Sequence, residues 1–296
     1  MRAWQFSKPK GPGFGIVQQY YLSILCCRAG MPSLLDIIAP KGEGGAVEGF
    51  GVPLSSNKTK DDLHRPLERG AYALASRDRK TVLKLLILSK EEAMFDPEAV
   101  IQSRRAPDMK PEAALRMRAT WTLGQLTFES HDPNVYPAVN FQLQLARRLA
   151  HLTDGVVADP ISWRYLLPEE VIHPGTTDSA IDPRDVVSVH DRDQGDETEV
   201  YTLGMQKFGL PELQIPGITD ASSKALAEEF LLGLTQSVLS GKLLKPGAQV
   251  GARSKPFDIA MGGHDIRRWE GIPVLELLPP KRATAAEALS EWKTES

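Results

Sequence analysis

Three of the six histidines are followed directly by aspartate: His131-Asp132, His190-Asp191 and His264-Asp265. With 18 aspartates among 296 residues, composition alone yields about 0.4 such pairs. An imidazole nitrogen beside a carboxylate oxygen suits Zn, Mn or Fe, and a second carboxylate can orient the ring through its other nitrogen. The candidate metal ligands are therefore His131, His190, Asp191, Asp193, His264 and Asp265. Each pair also has a simpler reading. Asp132 suits a helix cap, Asp191 belongs to an acidic turn, and Asp265 follows Gly262-Gly263 in a loop. Phosphohydrolases with His-Asp motifs carry them on helices, whereas these pairs fall at strand ends and loops. No cofactor is expected, and a divalent metal is the one alternative kept open.

Other chemistry-bearing residues are fewer. The turn Asp191, Asp193, Asp196, Glu197 and Glu199 offers hard oxygens, but Gly195 breaks the EF-hand spacing, so a solvated hairpin tip is expected. No G-x-S-x-G elbow occurs, and both cysteines, Cys26 and Cys27, lie near the start of the chain, so acyl-enzyme chemistry lacks its usual anchors. The glycines of residues 39–70 are followed by no GK[ST] and match no dinucleotide fingerprint. Asp159, Trp163 and Arg164 are candidates for a pocket edge after a strand. The competing reading is a packed turn built on Pro160 and Trp163.

The corner FGLPEL (208–213) has two compatible readings. In one, Gly209 relaxes the backbone, Pro211 fixes φ, and Phe208 and Leu210 plug the core. In the other, Tyr201, Lys207 and Glu212 present a recognition ridge to a partner.

The elements that must position these residues follow from periodicity. TVLKLLIL (81–88) reads as a buried strand, and RATWTLGQLTFES (118–130) as a long strand with a bulge at Gly124. Phe141, Leu145, Leu149 and Leu152 recur on one helical face, and Gly155 stops that helix. VVADP (156–160) is a short strand, and a loop runs on to residue 184. DVVSVHD (185–191) and EVYTLGM (199–205) flank a polar turn and predict a hairpin. Leu226, Phe230, Leu234 and Val238 mark a second helix over about residues 220–240, before closing strands AQVGAR, FDIAM and VLELL. Without strict β/α alternation this is an α+β protein: mainly antiparallel sheet, with two principal amphipathic helices on one face.

The expected organisation is a leader at 1–30 outside the fold, a mobile Gly-rich entry at 31–79, one α+β domain over 80–279, and an exposed tail at 280–296. The domain has two subdomains as an alternative, split near 160–184. The leader carries Arg2, Lys8, Lys10 and Arg28 with no acid. Met31 is read as the start of the folded body, with a poor export signal and a disordered arm as alternatives.

LTDGVVADPISW (152–163) and EVYTLGMQKFGLPELQIPGI (199–218), the latter followed by an amphipathic helix, resemble bacterial domains of unknown function. Some of these accompany suppressor-of-fused-like and immunity-type modules. The likeness covers roughly residues 118–250 and rests on the TLGMQKFGLPEL corner. It implies a cytoplasmic α+β domain tied to protein partners, with no agreed catalytic residues.

A formal charge of -3 leaves no footprint for nucleic acid. No apolar run approaches the roughly 18 residues of a spanning helix. The expectation is a soluble, cytoplasmic, non-catalytic domain that binds another protein, with oligomeric state undetermined. A metal-dependent hydrolase using the His-Asp pairs and an oligomeric scaffold without a site are the alternatives.

Overall fold

A computed structural model describes residues 13–38, 63–107, 109–263, 269 and 271–296. The chain forms two compact units, one from residues 17–132 and 136–186, the other built chiefly on residues 187–296. Both combine helices with largely antiparallel sheet, so the class is α+β. The division falls just beyond Val186, past the 160–184 stretch. Among the described residues no helix is long and apolar enough to cross a membrane.

The first unit contains β1 (Tyr21–Cys26), α1 (Leu34–Ile38), β2 (Gly70–Ala75), β3 (Val82–Ser89), α2 (Pro97–Ile101), α3 (Pro111–Arg118), β4 (Thr122–Ser130), α4 (Val135–Leu152), β5 (Val156–Asp159) and β6 (Arg164–Leu166). Its antiparallel sheet runs β2-β3-β4-β1-β5-β6. The expected leader is corrected here, because β1 is an interior strand bonded to β4 on one side and β5 on the other. YLSILC is a run of strand length, and Leu22, Ile24, Leu25 and Cys26 are all buried. By alternation Leu22 and Ile24 face one side and Leu25 the other. Leu25 packs with Ala113 and Met117 of α3 and with Val156 and Ala158 of β5. The entry segment is corrected too. Residues 70–75 pair along β3 and Leu74 and Ala75 are buried, so order begins before residue 80. Residues 39–62 lie outside the described residues.

Helix α4 begins at Val135, three residues beyond the expected cap at Asp132. Pro137 sits in its first turn, where no backbone N–H is needed. Asp132 instead points its carboxylate at Lys80, 3.4 Å from Nζ. Gln142, fully buried on α4, donates to the Leu126 carbonyl of β4 at 3.2 Å.

The second unit contains β7 (Ser188–Gln194), β8 (Glu197–Leu203), β9 (Glu212–Ile218), α5 (Ala221–Leu239), β10 (Gln249–Val250), β11 (Phe257–Met261), β12 (Val274–Leu278) and α6 (Ala285–Glu295). The sheet order is β10-β11-β12-β9-β8-β7, with β12 and β9 parallel and the other pairs antiparallel. Asp220 caps α5 by accepting from Ser223 N, as its position before an apolar-periodic run requires. The exposed tail is the other correction. Thr284 and Glu287 form a capping box, and Ala285, Ala288 and Leu289 are buried in the core with Leu231 and Leu277. Trp292 meets Phe230 edge-on with centroids 4.8 Å apart. The short apolar stripe of α6, diluted by charge, hid this packing from the sequence.

Candidate functional site

The His-Asp pairs fall apart on the structure. His131 follows β4 in the first unit, its Nδ1 3.2 Å from the Asp132 carbonyl and its ring edge-on to Phe128. His190 is buried on β7 of the second unit, with Nε2 2.8 Å from Ser188 Oγ and its ring beside Tyr201. Asp191 is exposed and pairs with Lys224 at 2.8 Å, and Asp193 accepts from Thr198 Oγ1. His264 and Asp265 lie outside the described residues. Among the described residues, no group of three or more His, Cys, Asp or Glu side chains converges to hold a metal.

The FGLPEL corner is interior, which corrects the recognition ridge: Tyr201 is 6% exposed, and Lys207 and Glu212 are 0% exposed. Glu212 accepts from Thr202 Oγ1 at 2.8 Å, from Gly204 N at 2.8 Å and from Gln206 N at 3.2 Å. Its carboxylate thereby caps the single 3-10 turn Met205–Phe208, whose first N–H groups have no partner of their own. Burial pushes the Glu212 carboxyl up to about 7, and the hydrogen bonds from Thr202 and the turn pull it back. Gly209 closes the turn at φ 66°, a left-handed conformation that favours glycine. The FGLPEL spacing therefore builds a self-capped corner.

Asp159 and Arg164 end and begin the paired strands β5 and β6. Arg164 Nη2 lies 3.0 Å from Asp159 Oδ2, its Nε donates to Ser162 Oγ, and the same guanidinium reaches the carbonyls of Arg184 and Asp185. Asp159 is fully buried and Trp163 holds φ 54° in the intervening turn. Asp159 and Arg164 thus tie the hairpin to the end of the following loop as an interior strut.

The sequence places a loop there but does not show what holds it. Residues 167–186 carry two single 3-10 turns, Pro168–Glu170 and Pro183–Asp185, and an isolated bridge between Thr177 and Ala180, yet side chains hold much of the segment. Asp185, fully buried, accepts from His173 N and faces His173 Nδ1 at 2.5 Å. Asp182 accepts from Arg184 Nε and Nη2, which together with the Arg184 N–H hold its carboxyl below the usual range. A long segment without regular structure inside a compact unit is usually functional when ordered. The available signal was the density of Asp, Thr and Pro over 173–185.

Concavities adjoin the first unit's loop and sheet. Two meet at the contact between α4 and the loop, where Asn140 Nδ2 donates to Asp178 Oδ1 at 2.8 Å. One of about 440 Å³ includes Arg77, Pro137 and Phe141, and one of about 290 Å³ includes Arg147, Thr176 and Thr177. The third, of about 550 Å³, runs along one end of the neighbouring strands β2, β3, β4 and β1, with Arg69, Ile87, Trp121 and Met31 in its wall. Trp121 is 65% exposed. No protein-family model, curated protein or solved structure matches the chain.

Proposed function

We propose that this chain is an intracellular protein-recognition domain that takes an extended segment of a partner along strand β2, with an apolar partner side chain in the Trp121 groove. The carrying observation is the contrast among the four sheet edges. β6 and β10 are three and two residues long, and β7 carries Asp191, Arg192 and Asp193. Short and charged edges resist pairing with another chain. β2, GAYALA, is six residues long with no charge, and among the described residues its sole strand neighbour is β3. Main-chain groups on such an edge supply affinity for an added strand, and adjoining pockets supply specificity.

The groove begins where β2 begins, at Arg69. Two more apolar side chains of the first unit are exposed, Leu115 on α3 and Met94 in the turn after β3. That turn is tied to Trp121 by the hydrogen bond from Lys90 N to its carbonyl. Trp and Met are enriched in protein interfaces. The unpaired Cys26 and Cys27 fit a reducing compartment, and the resemblance of the 199–218 stretch to partner-bound bacterial domains points the same way.

Site-specific photo-crosslinking in cells tests the proposal, with the reactive group at Ala73, at Trp121 and, as a control, at Leu243, which is 67% exposed in the second unit. One protein captured at both Ala73 and Trp121, whose purified form binds Trp121→Ala at least about 30-fold more weakly, is the expected result. Adducts between two copies of this chain would replace the partner with self-pairing. Yields no higher than at Leu243 would end the proposal.

A further inference from the structure

We infer that the hollow between α4 and the 172–178 segment is a binding site for a small oxyanion, a carboxylate or phosphate group, centred on Arg147. The argument rests on unspent donors. Asn140, Gln144 and Arg147 are spaced by four and three residues, so they share one face of α4, and all three line the hollow of about 290 Å³. Two bonds tie these side chains to one another: Gln144 Nε2 donates to Asn140 Oδ1 at 3.1 Å, and Asn140 Nδ2 donates to Asp178 Oδ1. Donors at Arg147 and Thr176 remain. Arg147 Nε is closed to solvent and meets no hydrogen-bond partner among the described residues. Thr176 is 8% exposed; its Oγ1 accepts from Asp182 N at 2.8 Å, which leaves its own O–H to be donated.

A guanidinium N–H closed to solvent without an acceptor is costly, whereas a guanidinium that receives a carboxylate or phosphate forms paired charge-assisted bonds. Asp178 also lines the hollow, but it is solvent-exposed and held by Asn140. The loop is braced from behind by the Asp185–His173 contact, so Thr176 is positioned before any ligand arrives, which lowers the ordering cost of binding. This site is separate from the β2 edge, and neither reading depends on the other.

The test is an amide NMR titration of the full chain with sodium phosphate and, separately, sodium succinate, both at constant ionic strength. Saturable shifts at Arg147, Thr176 and Thr177 are expected, and the tighter of the two probes identifies the oxyanion. Arg147→Gln should weaken that probe at least tenfold. Arg147→Lys should also weaken it, because the ammonium lacks the planar fork, while Arg282→Gln on the exposed surface should leave it unchanged. Shifts absent from these residues with both probes, or equal affinity in Arg147→Gln, would overturn the inference. If Arg147→Gln does not fold, the location of the wild-type shifts decides in the same way.

Discussion

Asp185 grips His173 twice, through the backbone N–H at 2.9 Å and through Nδ1 at 2.5 Å, while its own carbonyl receives Arg164. One fully buried aspartate thus joins the start of an irregular loop to the strut at its end. Replacing it by alanine strands a half-buried imidazole and a backbone donor at once. Asp185→Ala should lower the stability of the first unit by about 3 kcal/mol. Protease sensitivity should appear within residues 171–184. Urea unfolding read together with limited proteolysis checks both effects, and a variant with an unchanged midpoint and an uncut loop would contradict this role.

Glu212 makes stability depend on pH with an uncommon sign. Its carboxyl titrates near 4.5 when unfolded and at about 7 when folded, so between those values the folded chain holds more protons than the unfolded one. Stability from this group is complete below about pH 4.5 and is lost as pH rises through about 7. The whole span is on the order of 3 kcal/mol at most. Wild type minus Glu212→Gln, measured by urea unfolding from pH 4 to pH 8, should decline with pH. A flat difference would show that the turn donors cancel the burial.

Two glycines should respond to alanine in opposite directions. A Cβ at Gly155 would lie 2.5 Å from the Leu25 carbonyl oxygen, a backbone atom in an interior strand that cannot move aside. Gly155→Ala should therefore cost about 2 kcal/mol or more. Gly233 lies within α5 with nothing within 4 Å of the added carbon, so Gly233→Ala should stabilise by about 0.5 to 1 kcal/mol. Thermal unfolding of the two single variants measures the contrast directly.

A chain beginning at Met31 would lose β1 from between β4 and β5. We expect its first unit to lack dispersed amide resonances while those of the second unit, including α5 and α6, remain. Native-like spectra across both units would contradict the interior place of β1.

The fold was legible where one period dominates a long stretch. The apolar repeat through Phe141, Leu145 and Leu149 lies within α4, and Leu226, Phe230 and Leu234 lie within α5. Strands 81–88, 156–160 and the hairpin around Gly195 likewise fall where alternation and turn residues put them. What failed did so for physical reasons. YLSILC reads as part of a leader ahead of Met31; its partners are distant in the chain, and strand pairing leaves no mark in either partner alone. Glu212 looked like a surface acid because most of its partners are backbone N–H groups, which sequence does not display. Arg147 attracted no notice, since one arginine on a helix ordinarily faces water. The pairs around His131 and His190 drew attention by composition, yet one belongs to each unit.

The placement of β1 sets a timetable for synthesis. About 100 residues separate Cys26 from β4, and at the usual 5–20 residues per second an apolar strand waits roughly 5–20 s on the ribosome before its neighbour is made. In the second unit β9 likewise waits for β12, its parallel neighbour. Nascent chains of this protein should therefore be clients of ribosome-associated chaperones from the emergence of β1 onward.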